Sequence, residues 1–283
     1  MNLLYCGDKN IADGLFISIL SLLKNVKENL NIYVLTINLK NENYDIKGIS
    51  DDIINFLDRK VKEKSIENFV KKFDITNLFI KEVPRVNMKT RFTPCCMLRL
   101  FADKIEEIPE KILYLDNDVV IRRDFSEEFY NLDIEDYEMV GVLDYYGKWF
   151  FKKNMFRFDY LNSGVLLLNM KKIKETNLFK NARKMCQEKK MFMPDQSALN
   201  KICKYKKIMP RRFNEQRKLK KDTFIQHFST TFRFFPWIRT VTIKPWQIDE
   251  LHANLKNFEY DDILLQYCAE KENLNKVMEE LSE

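Results

Sequence analysis

The sequence predicts an α/β protein in which helices cover a largely parallel sheet on both faces. Short apolar runs that suit buried strands alternate along the chain with longer segments whose apolar residues recur at helical spacing. Strands that alternate with helices in this order form parallel sheets. The chain has 283 residues, of which 45% are hydrophobic, and this is enough for one large domain with a sizeable core. Ligands bind such sheets at the carboxyl ends of the strands, so functional side chains are expected there.

Each predicted element rests on a local pattern. The strand candidates are the apolar runs at residues 2–5, 31–37, 78–83, 111–115 and 140–143. The helix candidates are residues 12–23, the charged amphipathic segment 51–73, and residues 96–108, which Pro109 ends. The chain is predicted to finish in a charged helical stretch. We therefore expect a main domain at residues 1–246 and a C-terminal helical extension at residues 247–283, packed on that domain or trailing from it.

Composition argues against several classes of function. The formal net charge is only +6, from 48 basic and 42 acidic side chains, so we expect no nucleic-acid partner. The six cysteines include no C-x-x-C pair, and adjacent Cys95 and Cys96 are a poor pattern for zinc. No basic leader opens the chain, and the apolar stretch at residues 15–23 is too short to span a bilayer. We therefore expect a cytoplasmic protein whose thiols are reduced. It is expected either in the cytoplasm itself or peripherally at the inner face of the membrane.

The most informative segment is residues 111–121, where an apolar strand candidate leads into Asp116 and Asp118. In an extended chain, residues i and i+2 point to the same side, so both carboxylates can reach one hard cation. Such a cation can bridge the two phosphates of a nucleotide diphosphate and neutralise the charge of the leaving group. A solvated turn after a strand has the same spacing, and this segment alone does not decide between the two.

The same residues also fit a second class of enzyme. Asp116, Asp118 and Val120 match the D-x-D-x-[TV] strand of haloacid-dehalogenase-like phosphatases, which use Mg²⁺. That class also needs an acidic pair after a later strand. The late pair Asp261-Asp262 instead opens a helical stretch, where helix capping explains it. Three strand candidates also precede the motif, which is unusual for that class.

Five segments in order along the chain give a more specific indication. They are residues 5–10 (YCGDKN), 97–100 (MLRL), 113–118 (LYLDND), 160–169 (YLNSGVLLLN) and 194–196 (PDQ), followed by His227-Phe228. In these segments the chain resembles glycosyltransferase family 8, the retaining galactosyl- and glucosyltransferases. The resemblance implies a GT-A fold, the nucleotide-diphospho-sugar transferase fold, as a catalytic domain at residues 1–246. It also implies a UDP-glucose or UDP-galactose donor, Mn²⁺ or Mg²⁺ as the metal, and a glycan, lipooligosaccharide or glycolipid as the acceptor.

The resemblance implies a role for each matching position. The donor-binding set is Asp8 and Asn10 at the uridine turn, Arg99, Asp116, Asn117 and Asp144. The metal ligands are Asp116, Asp118 and His227. The catalytic candidates, which line the sugar, are Asn162, Asp195 and Gln196.

Several assignments stay open at the level of sequence. The cation that contacts the diphosphate in the family corresponds to Lys244 by its Lys-Pro-Trp context and to Arg233 by its spacing. His227 also suits a buried structural histidine. The basic run at residues 211–221 suits an acceptor phosphate or a lipid headgroup, but also a solvated loop. The aromatic cluster at residues 232–237 suits an acceptor platform, a membrane-facing patch or core packing. A catalytically silent protein that binds sugar nucleotides or glycans is the non-enzyme alternative.

Overall fold

The computed structural model describes residues 1–42, 44–90, 93–150, 159–233, 237 and 239–279. Its strands are β1 (Asn2–Cys6), β2 (Asn31–Thr36), β3 (Leu39–Asn41), β4 (Tyr44–Ile46), β5 (Phe69–Asp74), β6 (Lys111–Leu115), β7 (Val119–Ile121), β8 (Met139–Leu143), β9 (Leu161–Asn169), β10 (Lys206–Met209), β11 (Ile225–His227), β12 (Thr231–Arg233) and β13 (Arg239–Val241). The α-helices are α1 (Ala12–Asn25), α2 (Asp51–Lys62), α3 (Thr76–Lys81), α4 (Gly147–Phe150), α5 (Met170–Thr176), α6 (Leu178–Glu188), α7 (Pro194–Ile202), α8 (Ile248–Glu250) and α9 (Asp261–Glu279). The other helical segments are the 3₁₀ helices Lys9–Ile11, Arg85–Asn87, Pro94–Lys104 and Arg211–Phe213, and the π-helical turns Ser126–Tyr130 and Leu251–Leu255.

Seven strands form the main sheet, in the order β10-β8-β9-β6-β1-β2-β5. Most neighbours are parallel, as the sequence predicts, but β9 runs antiparallel to both β6 and β8. The first eight of the nine residues of β9 are buried, which suits a central strand covered on both faces. The reversal of β9 brings its amino end to the edge where β6 and β8 end.

The two faces of the sheet carry separate apolar clusters. Along β6, Leu113 and Leu115 join one cluster with α1, whereas Ile112 and Tyr114 join the other with the 3₁₀ helix Pro94–Lys104. This follows from the period of two in a strand, which sends successive side chains to opposite faces. At roughly 25 cal/mol per Å² of buried apolar surface, the two clusters supply most of the driving force for folding.

Two predicted elements are wrong. The predicted strand at residues 78–83 is helical over Thr76–Lys81, where the Asp74 carboxylate accepts from the Thr76 amide at 2.9 Å. The predicted helix at residues 51–73 ends at Lys62 and is followed by strand β5. Strand β5 lies at the sheet edge, where Val70 is its one buried residue, so its lysines and Asp74 imitate the charged face of a helix. Residues 96–108, predicted as a helix, form a 3₁₀ helix over Pro94–Lys104.

A short two-stranded ribbon lies beyond the end of β6. Strand β7 pairs antiparallel with β11, and His227 stands opposite Val119. Because Val119 directly follows Asp118, this pairing brings a residue more than a hundred positions away next to the D-x-D segment. The backbone amide of Phe228 donates to the carbonyl oxygen of Asp118 at 2.9 Å and continues the ladder.

The C-terminal helix packs on the main domain. Tyr267 of α9 is almost completely buried, and its ring meets the ring of Phe16 in α1 edge to face at 6.1 Å. Its hydroxyl donates to the Asp13 carboxylate at 2.5 Å. Leu264 and Tyr260 join the same core cluster as β1. Residues after 246 therefore contribute to the core, at least as far as the structure describes them.

Among the helices of the described residues, none combines the length and the apolarity that crossing a membrane requires.

Replacing Tyr267 tests the contribution of α9 to stability. We expect Tyr267→Ala to lower the free energy of unfolding by about 3–5 kcal/mol, because it leaves a cavity where a large aromatic ring was buried. Tyr267→Phe keeps the ring and should lose only about 1 kcal/mol, the value of one hydrogen bond. Urea denaturation followed by circular dichroism measures both. The control is Leu265→Ala on the same helix, at a side chain that is 70% exposed. An equal loss in Tyr267→Ala and in this control would contradict the prediction.

Candidate active site

A cavity of about 790 Å³ opens at the edge of the sheet where β1, β6 and β8 end and β9 begins. Each strand contributes polar residues at this edge. The predicted site residues that line the cavity are Asp8, Asn10, Arg99, Asp116, Asn117, Asp118, Asp144, Asn162, Asp195, Gln196, His227 and Lys244. The volume lies within the range of cavities that bind small organic ligands.

Asp116, Asp118 and His227 come together as a candidate metal site. One ligand atom from each lies within 4.8 Å of the others. The His227 Nε2 atom is 3.2 Å from Asp118 Oδ1 and 3.7 Å from Asp116 Oδ2. Two carboxylates and an imidazole are a donor set that suits a divalent cation such as Mn²⁺ or Mg²⁺. The β7–β11 pairing explains why the histidine reaches the two aspartates.

Gly164 leaves the space that this arrangement requires. A Cβ atom at this position would lie 2.2 Å from His227 Cε1 and 2.7 Å from Asp116 Oδ2, closer than real atoms approach. Any side chain here would therefore displace two of the three candidate ligands. Glycine at this position thus makes room for the His227 ring and the Asp116 carboxylate.

Hydrogen bonds and charges orient His227. Its Nδ1 atom lies 3.2 Å from Asn214 Oδ1, so a donated hydrogen bond on that side leaves Nε2 facing the two aspartates. Burial lowers the pKa of His227, but the Asp118 and Asp116 carboxylates outweigh burial and raise that pKa above its usual value. A cation bound at Nε2 would compete with the proton there.

Lys244 shares the carboxylate of Asp118. Its ammonium group forms an ion pair with Asp118 Oδ2 and donates to the carbonyl oxygen of Phe228 at 3.2 Å. Burial raises the pKa of Asp118, but Lys244 and His227 outweigh burial and hold that pKa well below its usual range. The rival cation, Arg233, has its backbone in β12, and its side chain lies outside the described part of the structure. Most of the predicted aromatic cluster at residues 232–237 also lies outside it.

Arg99 is a buried residue of the cavity lining. Its Nη2 atom lies 3.0 Å from Asp116 Oδ1, and its Nε atom lies 3.2 Å from Asp195 Oδ2. It also donates to the carbonyl oxygen of Ser163, and its guanidinium lies 3.8 Å from the centre of the Tyr114 ring. Burial lowers the pKa of Arg99, but these anionic and aromatic neighbours raise it above the usual value, so the group stays charged.

Asp144 is the centre of a buried hydrogen-bond network. One carboxylate oxygen accepts from Asn162 Nδ2 and from Gln196 Nε2, both at 3.0 Å. The other accepts from the backbone amides of Tyr146 and Gly147. Four donors therefore satisfy this carboxylate inside the protein, and it fixes the two amide side chains beside it.

The catalytic candidates Gln196 and Asp195 both have protein partners. Gln196 Oε1 accepts from the Ser163 backbone amide at 2.9 Å and from its hydroxyl at 3.1 Å. Asp195 forms the ion pair with Arg99 described above, and burial raises its pKa despite that pair. Gln196 Oε1 is thus held by Ser163, and Asp195 Oδ2 is held by Arg99.

The uridine-turn candidates lie at the other side of the cavity. Asp8 caps the 3₁₀ helix Lys9–Ile11, and one of its carboxylate oxygens accepts from the Asn10 amide at 2.9 Å. The side chain of Asn10 is exposed, and both residues line the cavity. Asn117 lines it between the two aspartates of the D-x-D segment.

Sequence reasoning missed several residues of the site. Tyr114 donates to Asp116 Oδ1 at 2.7 Å, and strand alternation already places it on the side of Asp116. Asn214 joins Asn162 to His227, because its amide nitrogen donates to Asn162 Oδ1 at 2.9 Å. Gln216 lines the cavity two residues later. In the sequence, residues 212–214 only resemble a turn of the family with a structural role, and Gln216 has no signal, since only the fold brings residues 214–216 to the site.

Comparisons with known proteins identify relatives of the chain. The family model described as "Glycosyl transferase family 8" matches residues 2–250. A "Putative glycosyltransferase" of Haemophilus influenzae is 29% identical over 227 residues, which cover 76% of this chain and 63% of that protein. A "Probable glycosyl transferase Gly" of Streptococcus gordonii is 38% identical over 117 residues, which cover 40% of this chain and 16% of that protein. The chain thus spans less than two thirds of the length of each of these relatives.

Solved structures show the same fold at low sequence identity. The galactosyltransferase LgtC, solved in complex with donor and acceptor sugar analogs, superposes with a TM-score of 0.68 at 17% identity. That superposition covers 95% of this chain and 96% of LgtC. It identifies the fold of this chain as GT-A. Since the family model matches nearly the whole length, the chain belongs to glycosyl transferase family 8.

Proposed function

We propose that the protein is a metal-dependent retaining glycosyltransferase that moves glucose or galactose from a UDP-sugar to a glycan or glycolipid acceptor. The observation that carries this proposal is the convergence of Asp116, Asp118 and His227 in the cavity at the sheet edge. Family membership supports the reaction class. The acceptor follows the resemblance: a glycan, a lipooligosaccharide or a glycolipid. The compartment proposed from the sequence pattern is the cytoplasm or the inner face of the membrane.

The metal set would neutralise the leaving group. Asp116, Asp118 and His227 would hold Mn²⁺ or Mg²⁺, and the cation when bound supplies positive charge next to the diphosphate. Lys244 lies beside Asp118 and would contribute a further positive charge on the same side. Asp8 and Asn10 would bind the uracil, because a carboxylate accepts from the ring N–H and an amide both donates and accepts. Asn117, which stands between Asp116 and Asp118 in the sequence and lines the cavity, would also contact the donor.

The network around Asp144 would position the donor sugar. Asn162 and Gln196 are fixed by hydrogen bonds before any ligand arrives, so little reorganisation is needed when the sugar binds. Asp195 is held by the buried guanidinium of Arg99. We therefore assign these residues to orienting the sugar rather than to attacking it.

The contacts of Gln196 and Asp195 support attack on the front face of the sugar. Among the described residues that line the cavity, the carboxylates are Asp8, Asp116, Asp118, Asp144 and Asp195. Each has an assigned partner or role, so none is left as a general base for inversion. In a front-face reaction, the acceptor oxygen bonds to the anomeric carbon, the bond to the diphosphate oxygen breaks, and the acceptor proton passes to the departing phosphate.

The phosphatase alternative is not supported. Its nucleophile would be Asp116, whose Oδ1 atom already accepts from Tyr114 and Arg99. Its late acidic pair opens α9, where Asp262 pairs with Lys24 and Asp261 contacts His252. Neither residue of that pair lines the cavity. A catalytically silent binding protein would have no need of a complete metal set. It would bind the donor without transferring its sugar, so a measurement of turnover distinguishes it from the enzyme.

The nucleotide preference can be measured without an acceptor. We expect UDP with Mn²⁺ to raise the melting temperature, by about 5 °C at one hundred times its Kd, because it binds only the native state. GDP and ADP with Mn²⁺ should raise it much less, since Asp8 and Asn10 suit uracil. Differential scanning calorimetry gives the comparison, with UDP in a chelating buffer as the control. Equal stabilisation by the three nucleotides would contradict the uridine assignment.

The metal assignment can be tested by single substitutions. We expect Asp118→Asn and His227→Ala each to lower transfer by about 100-fold or more, because losing charge neutralisation at the leaving group costs several kcal/mol. Mn²⁺ affinity, measured by calorimetry in the presence of UDP, should fall as well. The control is Asp222→Asn, an exposed carboxylate outside the cavity. Full activity and metal affinity in His227→Ala would show that the histidine is structural.

The stereochemistry of the product tests the proposed route. An α-linked UDP-sugar should give an α-linked product, and proton NMR of the first-formed product measures the configuration. A β-linked product would refute retention. Gln196→Ala should retain the configuration but lower turnover, because the Asp144 network loses one of its four donors. Near-normal turnover in this variant would rule out both a nucleophilic and an orienting role for Gln196.

A further inference from the structure

A second cavity of about 670 Å³ adjoins the first. Gln216, His227 and Ser229 line both cavities, so the loop and strand that carry them form the shared wall. Residues 254–259, which comprise the end of the π-helical turn Leu251–Leu255 and the segment after it, also line the second cavity. Apart from His227, none of the residues assigned to the donor, the sugar or the metal lines this space.

The second cavity carries positive charge without matching carboxylates. Its cations are Arg217, Lys218 and Lys256, and Glu259 is its one acidic residue among those that the structure describes. Glu259 is already engaged, because Arg122 Nε donates to its carboxylate at 2.6 Å. Lys218 and Lys256 are exposed and form no ion pair within the described part of the chain. Unpaired cations around a concave space attract an anionic ligand.

The backbone of Lys256 is unusual. Its φ of 49° and ψ of 41° are left-handed, a conformation that costs a non-glycine residue roughly 1–2 kcal/mol. Glycine or asparagine would adopt it more readily. A lysine at this position therefore places a cation at the cavity at some cost in stability, which favours a role for the side chain.

Arg217 joins the two cavities. Its Nη1 atom donates to the Tyr146 hydroxyl at 2.6 Å, and its guanidinium lies 4.7 Å from the centre of the Tyr145 ring. Both tyrosines line the first cavity. A molecule that extends from one cavity into the other would thus pass aromatic rings, which suit the apolar faces of a sugar, and then reach the cations.

We propose that the second cavity binds an anionic group, a phosphate or a carboxylate, carried by the acceptor glycan. The acceptor would extend past Ser229 and Gln216, with its reacting hydroxyl in the first cavity and its anionic group near Lys218 and Lys256. This proposal rests on the proposed function, since it concerns the acceptor of that reaction. It gives a binding role to part of the basic run at residues 211–221.

The test uses small sugars as probes while the donor site is filled. Glucose 6-phosphate, glucuronate and glucose are titrated by calorimetry into the full-length protein saturated with UDP and Mn²⁺, so that the diphosphate position is not available to the probe. We expect at least one anionic sugar to bind more tightly than glucose, and the tighter one identifies the anion. The double variant Lys218→Gln/Lys256→Asn should weaken that binding about tenfold, as expected for lost charge-assisted hydrogen bonds. Asparagine is chosen at position 256 because it tolerates the left-handed backbone conformation there.

The matched control removes two charges from the same basic run. Lys220→Gln/Lys221→Gln changes exposed lysines that do not line the second cavity, and it should leave probe affinity unchanged. Equal affinity for all three sugars, or an equal loss in the two double variants, would overturn the proposal. So would a probe that binds only when UDP is absent. UDP affinity is measured separately in the wild type and in every variant. If UDP fails to bind the wild type, the proposed function fails. The effect of the lysine substitutions on probe affinity still tests the second cavity in that case.

Discussion

The buried guanidinium of Arg99 is the interaction on which the rest of the site depends. It lies between Asp116 and Asp195, so two carboxylates that would repel each other share one permanent cation. Removing either partner would leave a buried charge uncompensated, which costs several kcal/mol. Because an arginine does not lose its proton, this balance holds over the whole range of physiological pH. Asp116 is thereby fixed through Oδ1, and its Oδ2 atom remains directed towards His227.

The direction of one strand determines which backbone meets these carboxylates. Because β9 runs against β6 and β8, Asn162 and Ser163 begin at the edge where the other two strands end. Gly164 follows, and its missing side chain lets the His227 ring and Asp116 approach each other. A parallel strand in this position would bring its last residues to the site instead. The reversal within an otherwise parallel sheet therefore serves the site as well as the core.

Much of the site could be predicted from the sequence because short motifs at strand ends carry it. Asp116 and Asp118 follow a recognisable strand, and their spacing allows a shared ligand, which the family resemblance then favours over a solvated turn. The position of His227 could not be predicted from a local motif, since it depends on the pairing of β7 with β11 across more than a hundred residues. Local pattern failed at β5, where Lys71 and Lys72 on an exposed edge imitate a helix. For Asn214, local pattern indicated only a structural turn, because its contacts to Asn162 and His227 arise from the tertiary fold.

The two adjoining cavities differ in the sign of their charge. Among the described residues, five carboxylates line the first cavity against the permanent cations Arg99 and Lys244, so its surplus is negative. Three cations line the second cavity against one carboxylate, which Arg122 already engages, so its surplus is positive. His227 belongs to the wall between them. Before a metal binds, a divalent cation is therefore attracted to one side of that wall and an anionic group to the other. Under the proposed function, this opposition would give an acceptor one favoured direction across the site, with its charged group away from the candidate metal ligands.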